Sequence, residues 1–345
     1  MTERRKRSAR FTDIAEAAGV SVATVDRVLN ERDSVSARAR ARVLEAARQL
    51  DLPRRLPDAR HGLIHLDIVL PDNVSPFFRR LDHALQRATA LLGPRIVVHR
   101  RRVAEADTEA LLRAITLSRY PRQGLMVAAP DTSAVQQALA MAARRGERVA
   151  TLVTEVSGID AAQYVGIDNY AAGRTAGHLL GRFARGPGRI VLLSGRSDYR
   201  GHVERARGCI DALATSRSRL RCDWILHDSR DDSDRCYLAL QRTFKTDEAV
   251  VGIYNTGAGS PGISAALQRY RGRRPNWIGH ELSDDHRQYL KDGSMDVVID
   301  QDPDRQAVDA LQHVLATPGT PSARPSRGEF RLYLAENLSP GLYGA

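Results

Sequence analysis

Apolar positions change period along the chain. Between residues 12 and 50 they recur at helical spacing. Ile14, Ala15, Ala17 and Ala18 make one short apolar face, Val25, Val28 and Leu29 a second, and Val43, Leu44, Ala47 and Leu50 a third. Thr12, Ser21 and Ser36 precede these faces as N-cap types. They predict helices over Asp13–Ala18, over Val22–Leu29 and from Ser36 to Leu50. Gly19 can take the left-handed conformation that ends one helix and turns into the next, which is a helix-turn-helix arrangement. Residues 51–62 (DLPRRLPDARHG) are rich in Pro and Arg and read as a linker.

From residue 63 the pattern alternates between short apolar runs and helix-like segments. LIHLDIVLP precedes a helix around Phe77–Leu92, and RIVVHR precedes Thr108–Leu117. GLMVAAP precedes Ala134–Arg145, with RVATLVT following; YVGID precedes Tyr170–Phe183 and RIVLLSG precedes Val203–Thr215. DWILHD, AVVGIYNTG and NWIGHEL lead to Asp234–Phe244, Gly262–Tyr270 and Asp284–Asp292. This βα order predicts parallel sheets with helices on both faces. The span exceeds one tidy sheet, so two similar α/β lobes with a cleft between them are expected. An eight-unit βα barrel is the competing architecture. Its strand ends would be Pro71, Pro130, Thr154, Asp168, Ser194, Asn255 and Glu281, which supply no nucleophile–base set. Residues 316–330 read as a loop, and EFRLYLAENL after it as one edge strand. No heptad repeat follows.

Charge narrows the partner. The chain of 345 residues carries a formal net charge of +11. Residues 1–62 hold 14 Lys and Arg against 9 Asp and Glu, with five basic residues in the first ten. Such a balance favours a polyanion, nucleic acid first. The three cysteines, Cys209, Cys222 and Cys236, form no CxxC pair, so neither a disulfide framework nor a zinc site is expected. No apolar run follows the basic N-terminus as in a signal peptide, and none is long enough to span a membrane. A cytoplasmic protein is expected. The run GAGSPG is a weak phosphate-binding signal, and no cofactor, metal or enzyme activity is expected.

In a helix-turn-helix the second helix enters the major groove by its N-terminal end. Val22 and Ala23 would face base edges and can read shape and thymine methyls. Arg27, one turn on, can fork onto guanine. Thr12, Ser21, Thr24 and Asn30 are short polar groups suited to phosphate oxygens. The runs TDIAEAAGVSVATVDRVLN and VSARARARVLEAARQL closely resemble the headpiece of the lactose-repressor (LacI) family. One departure is Asp26, where the family usually has Ser; it could accept from cytosine or pair with Arg27. The resemblance implies that the linker forms a hinge helix whose leucine wedges into the minor groove. Leu56 is the sole candidate, and Pro57 confines any such helix to a start at that residue.

The order of motifs over 63–315 resembles the periplasmic-binding-protein-like effector domain of the same family, in its ribose-type branch. SPFFRRLDHAL, VGIDNYAAGRTAGHLL, ERARGCIDAL, GIYNTGAG and IDQDP carry it. The resemblance implies ligand contacts from Phe77 and Phe78 (stacking on a ring), Arg205 (hydroxyls or a carboxylate), Asn255, Glu281 and Gln301. Asp168 would contact ligand or cap the following helix. Ala129, Val153, Thr154 and Thr256 depart from the branch's polar residues, so the ligand class is kept broad: a sugar, polyol, cyclitol or sugar acid. The expected organisation is a headpiece over 1–50, a hinge over 51–62 and an effector-binding and dimerisation domain over 63–345. Within it, one lobe takes 63–167 and 297–318 and the other 168–296 and 319–345. The whole would be a repressor acting as a homodimer on palindromic double-stranded operator DNA.

Overall fold

The structure, a computed structural model, describes residues 10–30, 32, 35–50, 52, 63–73, 75–215, 220–246, 248–316 and 327–339. The chain divides into two compact units, one ending at Ile64 and the other beginning at His65.

The first unit holds α1 (Phe11–Ala18), α2 (Val22–Leu29) and α3 (Ala37–Gln49). Helix α1 starts earlier than expected. The Asp13 carboxylate accepts from the backbone N–H of Arg10 at 2.8 Å, so Arg10 flanks the helix and Thr12 lies inside its first turn. Gly19 takes φ 60° and closes α1. Ser21 and Ser36 cap α2 and α3 by accepting from Thr24 N at 3.2 Å and Ala39 N at 3.3 Å. Ile14, Val25, Val28, Val43 and Leu44 are fully buried at the junction of the three helices. Leu50, expected in that core, is the exposed residue ending α3. Leu56 and Pro57 lie outside the described residues.

The second unit contains two open sheets. The first has five strands in the order β2-β1-β3-β4-β5: β1 (Ile64–Asp72), β2 (Ile96–Ala104), β3 (Arg122–Val127), β4 (Arg148–Leu152) and β5 (Ala162–Val165). The second has six in the order β11-β10-β9-β8-β6-β7: β6 (Gly188–Leu193), β7 (Leu220–Leu226), β8 (Val250–Asn255), β9 (Asn276–His280), β10 (Val297–Asp300) and β11 (Arg331–Tyr333). Its pairings are parallel except β11, which runs antiparallel to β10 at the edge. Two open sheets replace the closed barrel that the βα order also allowed. Strand β6 shows why its residues are continuously apolar: Ile190 and Leu192 enter one core, Val191 and Leu193 the core on the opposite face.

Helices α4 (Pro76–Ala90), α5 (Thr108–Thr116), α6 (Ser133–Arg144) and α12 (Pro303–Leu315) accompany the first sheet. Helices α7 (Asn169–Phe183), α8 (Arg200–Ala214), α9 (Ser233–Thr243), α10 (Ser260–Arg269) and α11 (Asp284–Lys291) belong to the second. One boundary is corrected. Residues 297–300, expected in the first lobe, form β10 beside β9 in the second sheet, because Val297 and Ile299 bury in that lobe's core. The chain then returns through α12, an element absent from the alternation above, which packs on α4, β3 and β4.

Helices α7 and α8 cross at backbone contact. A Cβ built on Gly173 would stand 2.0 Å from the Arg205 carbonyl oxygen, and one on Gly208 would stand 2.2 Å from that of Tyr170. This crossing sets the position of α8, which carries part of the site described next.

Candidate functional site

A cavity of about 250 Å³ lies between the two lobes. The first lobe contributes the β1–α4 junction (Ser75 to Arg79) and Val153 and Thr154 after β4. The second contributes the start of α8, the β7–α9, β8–α10 and β9–α11 junctions, and Gln301 after β10. The lining therefore comes from the C-terminal ends of strands, where open α/β sheets present loops and helix starts to ligands. Backbone strain gathers at the same place. Among the described residues, the five non-glycine residues with positive φ are Val153, Arg230, Asp231, Glu281 and Asp302. Val153, Asp231 and Glu281 line the cavity, and Asp302 follows Gln301. Such conformations cost about 1–3 kcal/mol each and persist where the surroundings impose them.

Five of the seven expected effector residues meet in this cavity: Phe77, Phe78, Arg205, Glu281 and Gln301. The two phenylalanines, 5% and 7% exposed, pack edge to face with centroids 5.5 Å apart. Arg205 is 3% exposed and held on two sides. Its Nε donates to Asn169 Oδ1 at 2.8 Å and its Nη1 to the Thr256 carbonyl at 2.8 Å. Gln301 Nε2 donates to Glu281 Oε1. Burial first, then the negative charge of Asp300, pushes the Glu281 carboxyl up to about 7.

Asn255 is corrected as a ligand contact, and of the two roles open to Asp168 the structure shows the helix cap. Asn255 does not line the cavity. Its Oδ1 accepts from the buried indole N–H of Trp277 at 2.8 Å, and its Nδ2 donates to the Gly257 carbonyl at 2.7 Å. The indole on the adjacent strand needs a buried acceptor, and Asn255 is turned to supply it. Asp168 also stays away from the cavity. It caps α7 by accepting from Ala171 N at 2.8 Å and lies 3.5 Å from Arg327.

Three histidines in the lining escaped the sequence reading: His202, His280 and His286. Burial pushes all three below their ordinary value, His202 to about 3, so they are neutral. His286 Nδ1 faces the Glu281 carbonyl at 2.5 Å and must donate there; its Nε2 then accepts from Ser260 Oγ at 2.6 Å. That bond fixes the backbone of Glu281 in its left-handed conformation. His202 Nδ1 lies 3.0 Å from the Thr256 carbonyl, the acceptor that also holds Arg205. Asp231 is a further unforeseen lining group; its Oδ1 accepts from Ala258 N at 2.8 Å. The signal for all four lay in their positions, directly after strands or at the starts of helices.

In the first unit, the N-terminal end of α2 is open. Val22 is 44% exposed, Ala23 is exposed, and Arg27 is exposed with no partner among the described residues. Ser21 and Thr24 are turned toward each other, hydroxyl to hydroxyl at 2.9 Å. Asp26 does not pair with Arg27. It accepts from Asn30 Nδ2 at 2.6 Å and lies 3.7 Å from Arg32. Thr12 is exposed on α1 and donates to Asp13.

These two arrangements define a class: a small helix-turn-helix domain joined to a two-lobed α/β receptor. Residues 66–317 match the periplasmic binding protein domain family, and residues 10–52 match the bacterial regulatory proteins of the lacI family. The chain belongs to the periplasmic binding protein domain family and carries the N-terminal domain of a lacI-family DNA-binding regulator. It is 37% identical over 91 residues to the ribose operon repressor of Halalkalibacterium halodurans, a match covering 25% of this chain and 27% of that repressor. The chain thus spans about a quarter of that relative's length. The fold is similar to that of a glucose-galactose binding protein from Geobacillus stearothermophilus (18% identity, TM-score 0.71, 81% of this chain and 99% of that one). It is also similar to an ABC transporter solute binding protein from Actinobacillus succinogenes solved with D-allose (16% identity, TM-score 0.67, 79% and 98%). No helix among the described residues is long and apolar enough to cross a membrane.

Proposed function

We propose that this regulator is a cytoplasmic repressor whose operator affinity is set by a small polyhydroxylated molecule held between the lobes. The observation that carries the reading is the cavity itself. Rings from one lobe (Phe77, Phe78) and hydrogen-bonding groups from the other (Arg205, Glu281) line one cavity, with Gln301 just after β10. A ligand touching both lobes favours one lobe arrangement over another, and only such differential contact can shift an equilibrium. One similar structure is named for glucose and galactose and the other was solved with D-allose, which supports a carbohydrate-like ligand.

On DNA, the protein acts as a homodimer on a palindromic operator. One headpiece presents few base-reading groups, and two-fold pairing of headpieces doubles them at fixed spacing. Arg27 forks onto a guanine, Val22 and Ala23 contact thymine methyls, and Thr12, Ser21, Thr24 and Asn30 line the phosphate side. Leu56 is proposed as the minor-groove wedge. The change in lobe arrangement alters the spacing of the headpieces and hence their joint affinity.

The experiment is a selection of operator sequences from a random pool with the full chain. A thermal-shift screen of sugars, polyols and sugar acids follows, and the stabilising compound is added to an operator-binding titration. A compound that raises the melting temperature and changes operator affinity supports the reading. Stabilising compounds that leave operator affinity unaltered contradict it.

A further inference from the structure

Two oxygens in the cavity lining stand without a hydrogen-bond partner. Gln301, 2% exposed, donates to Glu281 and leaves its own Oε1 without a hydrogen-bond partner. Glu281 Oε2 is buried and likewise unpartnered. On the donor side, Arg205 has already committed Nε and Nη1 to Asn169 and Thr256. Its Nη2 and the Arg79 side chain remain as donors in the lining, and Gln301 Oε1 and Glu281 Oε2 are the amide and carboxyl oxygens there that still lack a partner.

Charge points the same way. Elsewhere in the molecule, buried carboxylates hold a fixed cation. Asp300, 2% exposed, takes both terminal nitrogens of Arg80, at 2.6 and 3.5 Å, and Asp67 takes Arg122 at 2.9 Å. Glu281 and Asp231 line the cavity and have no ion pair among the described residues. Glu281 has Arg205, Arg80, Asp300 and the neutral His280 and His286 around it, Asp231 has Arg196, Arg205 and Asp228, and Arg79 and Asp285 also line the cavity; Arg205 is the cation that acts on both carboxyl groups, and it forms an ion pair with neither among the described residues. A buried carboxylate without a counterion is strongly disfavoured unless a partner arrives.

We propose that the ligand brings that counterion: the cleft takes a polyhydroxylated molecule bearing a protonated amine, an amino sugar or aminocyclitol, whose ammonium group donates to Glu281 Oε2 and Gln301 Oε1. An ammonium has three donors and no acceptor, which matches two free oxygens joined through one Gln–Glu bond. A hydroxyl would satisfy one oxygen and leave the charge unbalanced. A sugar acid would add a third negative group beside Asp231 and Glu281. The aromatic faces of Phe77 and Phe78 accept either a ring or a cation. The proposal rests on the reading of the cavity as the effector site and narrows the ligand class within it.

The test is calorimetry with the full chain at pH 7.5, using matched sets: glucose, glucosamine and gluconate; galactose, galactosamine and galacturonate; and myo-inositol against scyllo-inosamine. The amine member of one set is expected to bind at least tenfold more tightly than its neutral and acidic partners. In Glu281→Gln, shown folded by circular dichroism, that preference should disappear. Asp231→Asn, a second isosteric change, should reduce the preference without abolishing it. A neutral or acidic member binding as tightly as the amine overturns the proposal, as does a preference that survives in Glu281→Gln or an absence of binding by every amine. If a neutral member binds and shifts operator affinity, the regulator reading stands while the amine assignment falls.

Discussion

Gly173→Ala tests the coupling between helix packing and the site. A methyl group at Gly173 would stand 2.0 Å from the Arg205 carbonyl oxygen, 2.7 Å from its carbon and 2.8 Å from its Cα. Comfortable non-bonded separations are ~3.5 Å, so α7 and α8 must part by ~1 Å or more. The obstructing atoms are backbone and cannot swing aside. Overpacking of this kind costs about 3 kcal/mol, while alanine's helix preference over glycine returns about 1, leaving a net loss of roughly 2 kcal/mol. At ~2–4 °C per kcal/mol for a domain of this size, the melting temperature should fall by ~4–8 °C. The displaced helix carries Gly201, His202 and Arg205 along the cavity, so affinity for a cleft ligand should fall as well. Differential scanning fluorimetry and calorimetry read the two effects. Gly93→Ala and Gly186→Ala, where an added Cβ meets nothing within 4 Å, serve as controls expected to change stability by less than about 0.5 kcal/mol. A Gly173→Ala protein as stable and as strongly ligand-binding as the controls would refute the argument.

Three further outcomes follow from the same geometry. Arg27→Ala should weaken operator binding by about 1–3 kcal/mol and relax preference at one base pair, read by competition titrations; equal loss on random DNA would remove its base-reading role. Ser21→Ala removes the acceptor for Thr24 N and should destabilise the headpiece by about 1 kcal/mol, visible as a lower melting temperature of residues 1–62 by circular dichroism. The Glu281 carboxyl is held at about 7, above its ordinary 4.5, so the folded state binds its proton more tightly than the unfolded state. Its contribution is complete below pH 4.5 and is lost as pH rises through 7, up to about 3 kcal/mol in all. Glu281→Gln should therefore be more stable than the parent at pH 8 and closer to it at pH 5; denaturant titrations at the two pH values giving the same difference would contradict this.

What the sequence made legible was what local chemistry decides. Ser21 and Ser36 announce α2 and α3 because a cap needs only a side chain and an N–H three residues on. The strands of the second unit announce themselves because both faces of a parallel sheet bury, as Val191 and Ile190 show on neighbouring positions. Thr12 misled because the Asp13 carboxylate takes the backbone N–H of Arg10, so the helix begins at Phe11 and Thr12 falls inside it. Asn255 misled for a tertiary reason. Its place at a strand end was readable, but the direction of its amide depends on Trp277, 22 residues away. The three cavity histidines were illegible for the same reason, since His202 at the start of α8 meets His280 and His286 of the β9–α11 junction only once the sheet is assembled. Strand β10 went to the wrong lobe because a run of three apolar residues, Val297 to Ile299, fits either sheet until its partner β9 is known.

The most direct measurement is operator affinity of the full chain with and without a saturating cleft ligand, taken in parallel on Arg205→Ala. The account predicts that ligand changes the parent's affinity at least fivefold, about 1 kcal/mol of coupling, and leaves the variant's affinity constant while its ligand-free binding remains that of the parent. Equal affinities for the parent in the presence and absence of a ligand shown to occupy the cleft would contradict it.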